Sequence, residues 1–317
     1  MTDTQNEVFK TPVNKIRLFE HGAPGSQNLK LTRKYYTEDM PDGRVKHIVQ
    51  NITDPDIVPY IPDGIGNSTD RQRIPAVLII PGGAFRRLVY NFEGEDVAKW
   101  LNSMGIAAFV LECRLPSDEH DNAEDVPLID AMRAMRVIRG RAQEFGIDEA
   151  KIGVMGFSDG GFMAALLSTA YESDVYADYK YKDEYDKLSA RPDFAVCSYP
   201  VISIDDCIEA GKRYMSEEQV LERISDSKAK ILHKYNPDKL VRPDMPPVFI
   251  CETDDDRTTL SENSVGFYMA ARKAGVSAEL HIFRTGGHGY GCGDDFAQTG
   301  EWKVLFTKWI KSIGIIS

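Results

Sequence analysis

A serine framed by glycines, Gly156-Phe157-Ser158-Asp159-Gly160, carries the strongest chemical signal in the chain. The GxSxG pattern is short enough to arise by chance, and its context gives it meaning. KIGVMGF before it reads as a buried strand, and FMAALLSTA after it as a helix. A sharp turn from strand to helix lifts a serine above a sheet edge, and the glycines remove side chains that would collide with the neighbouring strand or helix. A serine hydroxyl is a poor nucleophile at neutral pH, so a base must stand beside it. His288, in Gly286-Gly287-His288-Gly289, lies on a loop between the apolar run AELHIFR and the last helix and is the candidate base. His281 alternates with apolar residues and reads as structural. His21, His47, His120 and His233 fall in an N-terminal arm, an edge strand, a loop and an insertion. The third member should be an acid on the loop after the preceding strand. Asp254-Asp255-Asp256 follow PPVFICET there, and one of the three is expected to orient the imidazole.

Acyl transfer also needs backbone N–H groups aimed at the developing oxyanion. Pro81-Gly82-Gly83-Ala84-Phe85 ends the strand PAVLIIP where such a loop belongs. Gly83, with Gly82 or Ala84, is expected to supply one donor and the N–H of Asp159 the other. A carboxylate at 159 opposes oxyanion formation unless it points away or is paired. It either rests at a helix start, favoured by the dipole, or selects substrates bearing an amine or several hydroxyls. Phe85, Arg114 and Tyr290 are the candidate substrate contacts, with Arg114 expected chiefly to hold loops together. There is no GxxxxGK[ST] loop, HExxH pair or EF-hand series, and Gly287, Gly289, Gly291 and Gly293 do not follow GxGxxG spacing. No metal and no organic cofactor are expected.

The elements that must position these residues alternate from Pro75 onward. PAVLIIP, IAAFVLEC, KIGVMGF, DFAVCSYPVI, PPVFICET and AELHIFR read as strands. Helical patterns start at Glu93, Glu124, after Ser158, after Ser261 and at Glu301. That alternation predicts an α/β fold with a mostly parallel central sheet and helices on both faces. In the helix from Glu124, Val126, Leu128, Ile129, Met132, Met135, Val137 and Ile138 face the sheet, with Arg133, Arg136 and Arg139 on the far side. Upstream, residues 1–43 read as an irregular arm wrapped over a single domain of residues 44–317. Val45–Ile52 and Ile57–Ile61 read as an antiparallel pair about the Asp54-Pro55-Asp56 turn, with a polar loop over Gly64–Arg73. Two insertions are expected above the sheet: 171–190, rich in tyrosine and acid, and 204–244, with a helix over Glu217–His233.

The 317 residues carry 42% hydrophobic and 27% charged side chains, an ordinary globular composition that excludes disorder, collagen and coiled coil. A chain this long buries a large core without staples. A net charge of −11 argues against a phosphate-tracking nucleic-acid binder. Cys113, Cys197, Cys207, Cys251 and Cys292 are odd in number and lack CxxC spacing, so reduced thiols are expected rather than a zinc site or a disulfide framework. Neither a secretory leader nor a membrane span is signalled, and a cytoplasmic location is expected.

Taken together, PGGAF, FEGEDVAKWLNSMGIAAFVLECRLP, IGVMGFSDGG, RPDFAVCSYPVIS and DDDRTTLSENS…GVSAELHIFRTGGHGYG resemble the α/β-hydrolase superfamily. Within it they resemble the carbohydrate-esterase-like branch of acetyl-xylan and feruloyl-esterase-like hydrolases. The likeness covers roughly residues 75 to 315, and GAPGS in the arm looks like that branch's N-terminal signature. In such hydrolases the acid often precedes the histidine by about thirty residues and a helix serine by eight. The resemblance therefore favours Asp256, thirty-two residues before His288 and eight before Ser264. The branch usually has PGGGY, GFSAGGH and YRLP, where this chain has Ala84, Asp159 with Phe162, and Cys113. The resemblance implies a serine carboxylesterase acting on short, most of all acetyl, esters of sugars or oligosaccharides. Alternatives are a feruloyl or other aryl esterase, a peptidase or amidase on the same triad, and a non-catalytic binding protein. The tyrosines of 171–190 are candidate platforms for a sugar or phenolic ring. VLFTKWIKSIGII serves either the core or a homodimer.

Overall fold

Runs that are apolar on both faces have to be covered on both faces, and six of them form the parallel body of an eight-stranded sheet. The computed structural model describes residues 9, 14–64, 73–213, 215–216, 218–220, 227–293 and 297–317. The start of the arm, most of the expected loop 64–73, the middle of the helix expected over Glu217–His233 and the side chain of Cys207 lie outside them. The strands are β1 (Ile16–Arg17), β2 (Lys34–Asp39), β3 (Val45–Gln50), β4 (Asp56–Tyr60), β5 (Ile74–Ile80) and β6 (Leu88–Val89), followed by β7 (Ala107–Glu112), β8 (Ile147–Phe157), β9 (Ala195–Ser198), β10 (Val248–Thr253) and β11 (Ala278–Phe283). The large sheet has the order β1-β4-β7-β5-β8-β9-β10-β11, and β2-β3-β6 form a small second sheet. From β7 to β11 all pairings are parallel, whereas β4 joins β7, and β1 joins β4, antiparallel.

Helix α1 (Asp96–Ser103) leads from β5 to β7, α2 (Val126–Gly140) and the single turn α3 (Ala142–Phe145) return the chain to β8, and α4 (Asp159–Ala170) follows β8. The chain thus leaves β5 toward one edge and comes back to β8 on the other side. That makes the β5/β8 boundary the topological switch point, where open α/β sheets hold their ligands. Trp100 of α1 packs edge-on against Trp302 and Phe306 of the helix Trp302–Ser312 on one face, and α2 lies beside α4 on the other. This is the α/β-hydrolase fold. The last helix turns Trp302, Phe306, Trp309 and Ile310 into the core. Among the described residues no helix is long and apolar enough to cross a membrane. Cys113, Cys197, Cys251 and Cys292 are buried and unbridged.

Four local expectations differ from what forms. Residues 34–39 and 16–17 of the arm are strands, and β2 pairs with β3 across the turn at Met40–Gly43. Strands β3 and β4 do not pair with each other. Pro55 offers its carbonyl to the N–H of Leu18, and β4 turns away to cap the large sheet while β3 stays in the small one. The run DFAVCSYPVI is a strand only over Ala195–Ser198, because Tyr199 takes φ 38° and Pro200 has no N–H to give. Finally, the arginine face of α2 is covered rather than solvated. Arg133 pairs with Asp183 and Asp186, Arg136 meets Tyr176, and Arg139 bonds the Ser189 and Arg191 carbonyls. Segment 171–190 is therefore strapped to α2 and, through Tyr179 on the Gly22 carbonyl, to the arm.

Candidate active site

Ser158 ends β8 and opens α4 at φ 56°, a left-handed conformation that costs of order 1–3 kcal/mol for a residue with a side chain. Its neighbours explain the glycines. A Cβ on Gly156 would lie 1.9 Å from the Gly160 carbonyl oxygen, and one on Gly160 would lie 2.0 Å from that of Ile80. The turn is pinned by the Ser158 N–H on Ser198 O and by the N–H groups of Phe162 and Val201 on Ser158 O.

The Ser158 hydroxyl is 2.9 Å from His288 Nε2, and His288 Nδ1 is 2.7 Å from Asp256 Oδ2. With Nδ1–H donating to the carboxylate, Nε2 is left to accept the serine proton. Asp256 also accepts the N–H groups of Thr258 and Thr259 at 2.7 and 3.0 Å and the Thr259 hydroxyl at 3.0 Å. Burial works to raise its pKa. The His288 hydrogen bond and charge, with the two backbone donors, outweigh burial and hold the carboxyl below its ordinary range. Of the other two acids, Asp255 accepts the Gly287 N–H at 2.8 Å and steadies the histidine loop, while Asp254 is exposed.

The loop after β5 differs from expectation. Its four successive N–H groups all go to carboxylates: Gly82 to Glu93 Oε2 at 2.8 Å, Gly83 and Ala84 to Asp159 Oδ1 at 2.7 and 2.8 Å, and Phe85 to Asp159 Oδ2 at 2.8 Å. The N–H groups of Gly82, Gly83 and Ala84 are thus already engaged, the first by Glu93 and the other two by the side chain next to the serine, and a neutral acceptor does not displace a carboxylate. Ala84 and Phe85 sit at φ 62° and 58°, a strained arc that the carboxylate holds. Asp159 is buried and lines the cavity, with both carboxylate oxygens holding the β5 loop. The Asp159 N–H lies at the start of α4 beside Ser158, where the helix concentrates positive partial charge.

A cavity of about 260 Å³ opens over Ser158 and His288, lined also by Ala84, Phe92, Val201 and Thr258 and rimmed by Met40, Arg44, Lys46 and Arg87. The three candidate contacts lie outside that lining. Phe85 is buried edge-on against Phe162, Tyr290 is buried on Tyr199, and Arg114 is fully buried on Asp130, the Pro24 carbonyl and Ser26. Arg114 ties the arm to α2. No tyrosine of 171–190 reaches the cavity either.

Sequence reasoning missed Glu93, Tyr199 and Thr259. Glu93 stands in a π-helical turn, Asn91–Glu95, and nothing in NFEGED sets it apart from Glu95 or Asp96. The rim was missed because the β2–β3 hairpin was not foreseen.

Residues 65–270 match the family model described as BD-FAE. The chain is 30% identical over 240 residues to an acetylxylan esterase of Xylanibacter ruminicola, covering 75% of this chain and 45% of that one. It is 30% identical over 227 residues to endo-1,4-beta-xylanase B of Butyrivibrio fibrisolvens, covering 71% of this chain and 34% of that one. It therefore spans less than half the length of either curated relative. Among solved structures it superposes on an acetyl ester-xyloside bifunctional hydrolase from Caldicellulosiruptor lactoaceticus with TM-score 0.72 at 34% identity, covering 96% of this chain and 98% of that one. It shares the fold of the carboxylesterase Cest-2923 from Lactobacillus plantarum, with TM-score 0.67 at 20% identity over 90% of this chain and 99% of that one. The family match spans more than half of the chain and includes the strand, turn and helix that carry Ser158, and the chain belongs to the BD-FAE family.

Proposed function

We propose that the protein is a serine esterase that removes short acyl groups, acetyl first, from sugars or oligosaccharides. The observation that carries this reading is the hydrogen-bonded line Ser158, His288, Asp256 at the floor of a small cavity on the switch point of the sheet. Ser158 Oγ attacks the ester carbonyl as its proton passes to His288 Nε2, and Asp256 balances the imidazolium. The oxyanion is met by the Asp159 N–H and shares the Gly83 and Ala84 N–H groups with the Asp159 carboxylate. His288 returns its proton to the leaving alcohol. Water then adds to the acyl-serine, giving its proton to His288, and the acid leaves as Ser158 regains the proton.

A volume near 260 Å³ lies just below the usual range for ligand pockets, which supports a small acyl group at the serine. The names of the relatives, acetylxylan esterase and acetyl ester-xyloside bifunctional hydrolase, support the same substrate class. The test is hydrolysis of p-nitrophenyl acetate, butyrate, octanoate and feruloyl esters by wild type and Ser158→Ala. Acetate preference that vanishes in the variant is expected. Preference for feruloyl or octanoyl esters would refute the short-acyl assignment, and turnover surviving in Ser158→Ala would refute the mechanism.

A further inference from the structure

A buried carboxyl that the mechanism does not use lies directly beneath the serine. A Cβ built on Gly82 would come within 2.9 Å of both Glu93 Oε2 and Ser158 Cβ. Glu93 is buried, at 5% exposure, and both of its oxygens are engaged. Oε2 takes the Gly82 N–H at 2.8 Å, and Oε1 takes the Tyr199 hydroxyl at 3.0 Å. The Tyr199 oxygen in turn accepts the Gly291 N–H at 3.0 Å, and the Tyr199 ring stands edge-on to His288 at 5.0 Å. A continuous chain of hydrogen bonds therefore runs from the loop after β5, through Glu93 and Tyr199, to the loop that carries His288. Tyr199 is itself fixed: at φ 38° it is held by its N–H on Cys251 O at 2.7 Å.

We propose that Glu93 is a positioning residue for the ester hydrolysis above, and that with Tyr199 it forms a buried strap fixing the oxyanion loop against the histidine loop. The inference rests on that reading of the site. The strap joins the two sides of the site that the switch point separates, one on the β5 loop and one on the β11 loop. A displacement of about 1 Å between them is enough to cost orders of magnitude in rate.

Charge contributes as well as geometry. The titratable groups facing Glu93 are Tyr199, His288 and Asp159; those facing His288 are Asp256, Tyr199 and Glu93, with the hydroxyls of Ser158 and Thr259. Burial pushes the Glu93 carboxyl up, and the charge on His288 pulls it down. Burial and then Glu93 push the Tyr199 hydroxyl well above its ordinary value, so it keeps the proton that makes the bridge.

The test compares Glu93→Gln, Tyr199→Phe and the double variant on p-nitrophenyl acetate across pH. Each single change should lower kcat tenfold or more with KM within twofold, and the double variant should be within threefold of the worse single, because both cut one strap. Glu93→Gln should also move the acid limb of the kcat/KM profile to lower pH, and Tyr199→Phe should leave it in place. A change that only loosened the fold would not move that limb. Retained kcat in both singles, multiplicative losses or an unmoved limb would overturn the proposal. Tyr199→Phe keeps the ring, so its split between kcat and KM decides the matter even where Glu93→Gln does not fold. Failure of wild type to turn over any ester would instead strike the esterase reading, which separates the two failures.

Discussion

Gly160→Ala would place a methyl carbon 2.0 Å from the Ile80 carbonyl oxygen and 2.8 Å from its carbon, where ordinary contact begins near 3.4 Å. Ile80 ends β5, which is paired on both sides in the middle of the sheet, and Gly160 stands in the first turn of α4. Neither is the end of a flexible side chain, so the strand and the helix must part by about 1 Å or more. Overpacking of this kind costs about 1–3 kcal/mol, and backbone on backbone belongs near the top, at about 3 kcal/mol. The separation falls between the loop of Gly82 to Phe85 and Ser158, and a 1 Å misplacement there is worth about 100-fold in kcat/KM. Ester turnover and urea denaturation measure the two effects. Gly275→Ala is the control: at φ 80° with nothing within 4 Å, it should lose about 1 kcal/mol from backbone strain and keep its rate. Turnover of Gly160→Ala within threefold of wild type would refute the reasoning that strand and helix are in contact through this glycine.

Three further outcomes are expected. Asp256→Asn turns an amide toward His288 Nδ1, disturbs the tautomer and should lower kcat by about 10⁴-fold with little change in KM, read from steady-state kinetics. Asp159→Ala releases three N–H groups from a carboxylate; water reaches those of Gly83 and Ala84 but not the buried Phe85, so unfolding in urea should show a loss of about 3 kcal/mol, and a loss under 1 kcal/mol would contradict the clamp. His120 accepts from Ser26, and burial together with the Arg114 charge lowers its pKa from 6.5 to about 4. The fold therefore excludes the proton that the unfolded chain binds. This stability is present above pH 6.5 and lost as pH falls toward 4, about 3 kcal/mol at most and about 2 kcal/mol after screening, and absent in His120→Gln.

The parallel strands and the turn at Ser158 were legible because both obey local rules: uniform apolarity for strands buried on two faces, and glycine where backbones touch. Asp256 and His288 were legible from chain order and the family spacing, and the structure brings both to Ser158. What escaped depends on partners distant in sequence. Nothing near Val45 tells whether β3 pairs with β4 or with β2, since both strands have the right composition. Arg133 looks solvent-facing until Asp183 and Asp186 are folded over it. For Asp159 the sequence offers a helix start or a substrate selector, and its use as an acceptor for the β5 loop follows only when that loop, some seventy-five residues away in sequence, is in place. Arg114, Phe85 and Tyr290 neighbour the site along the chain and point into the core, because a loop end beside a cavity turns only some of its side chains toward it.

The central claim is that Ser158 alone is the nucleophile, and the most direct measurement is peptide mapping after labelling with a fluorophosphonate. One adduct, on the peptide bearing Ser158, slowed by acetylated xylo-oligosaccharide and absent in Ser158→Ala, is the expected result. No adduct, or an adduct on another serine, would contradict it.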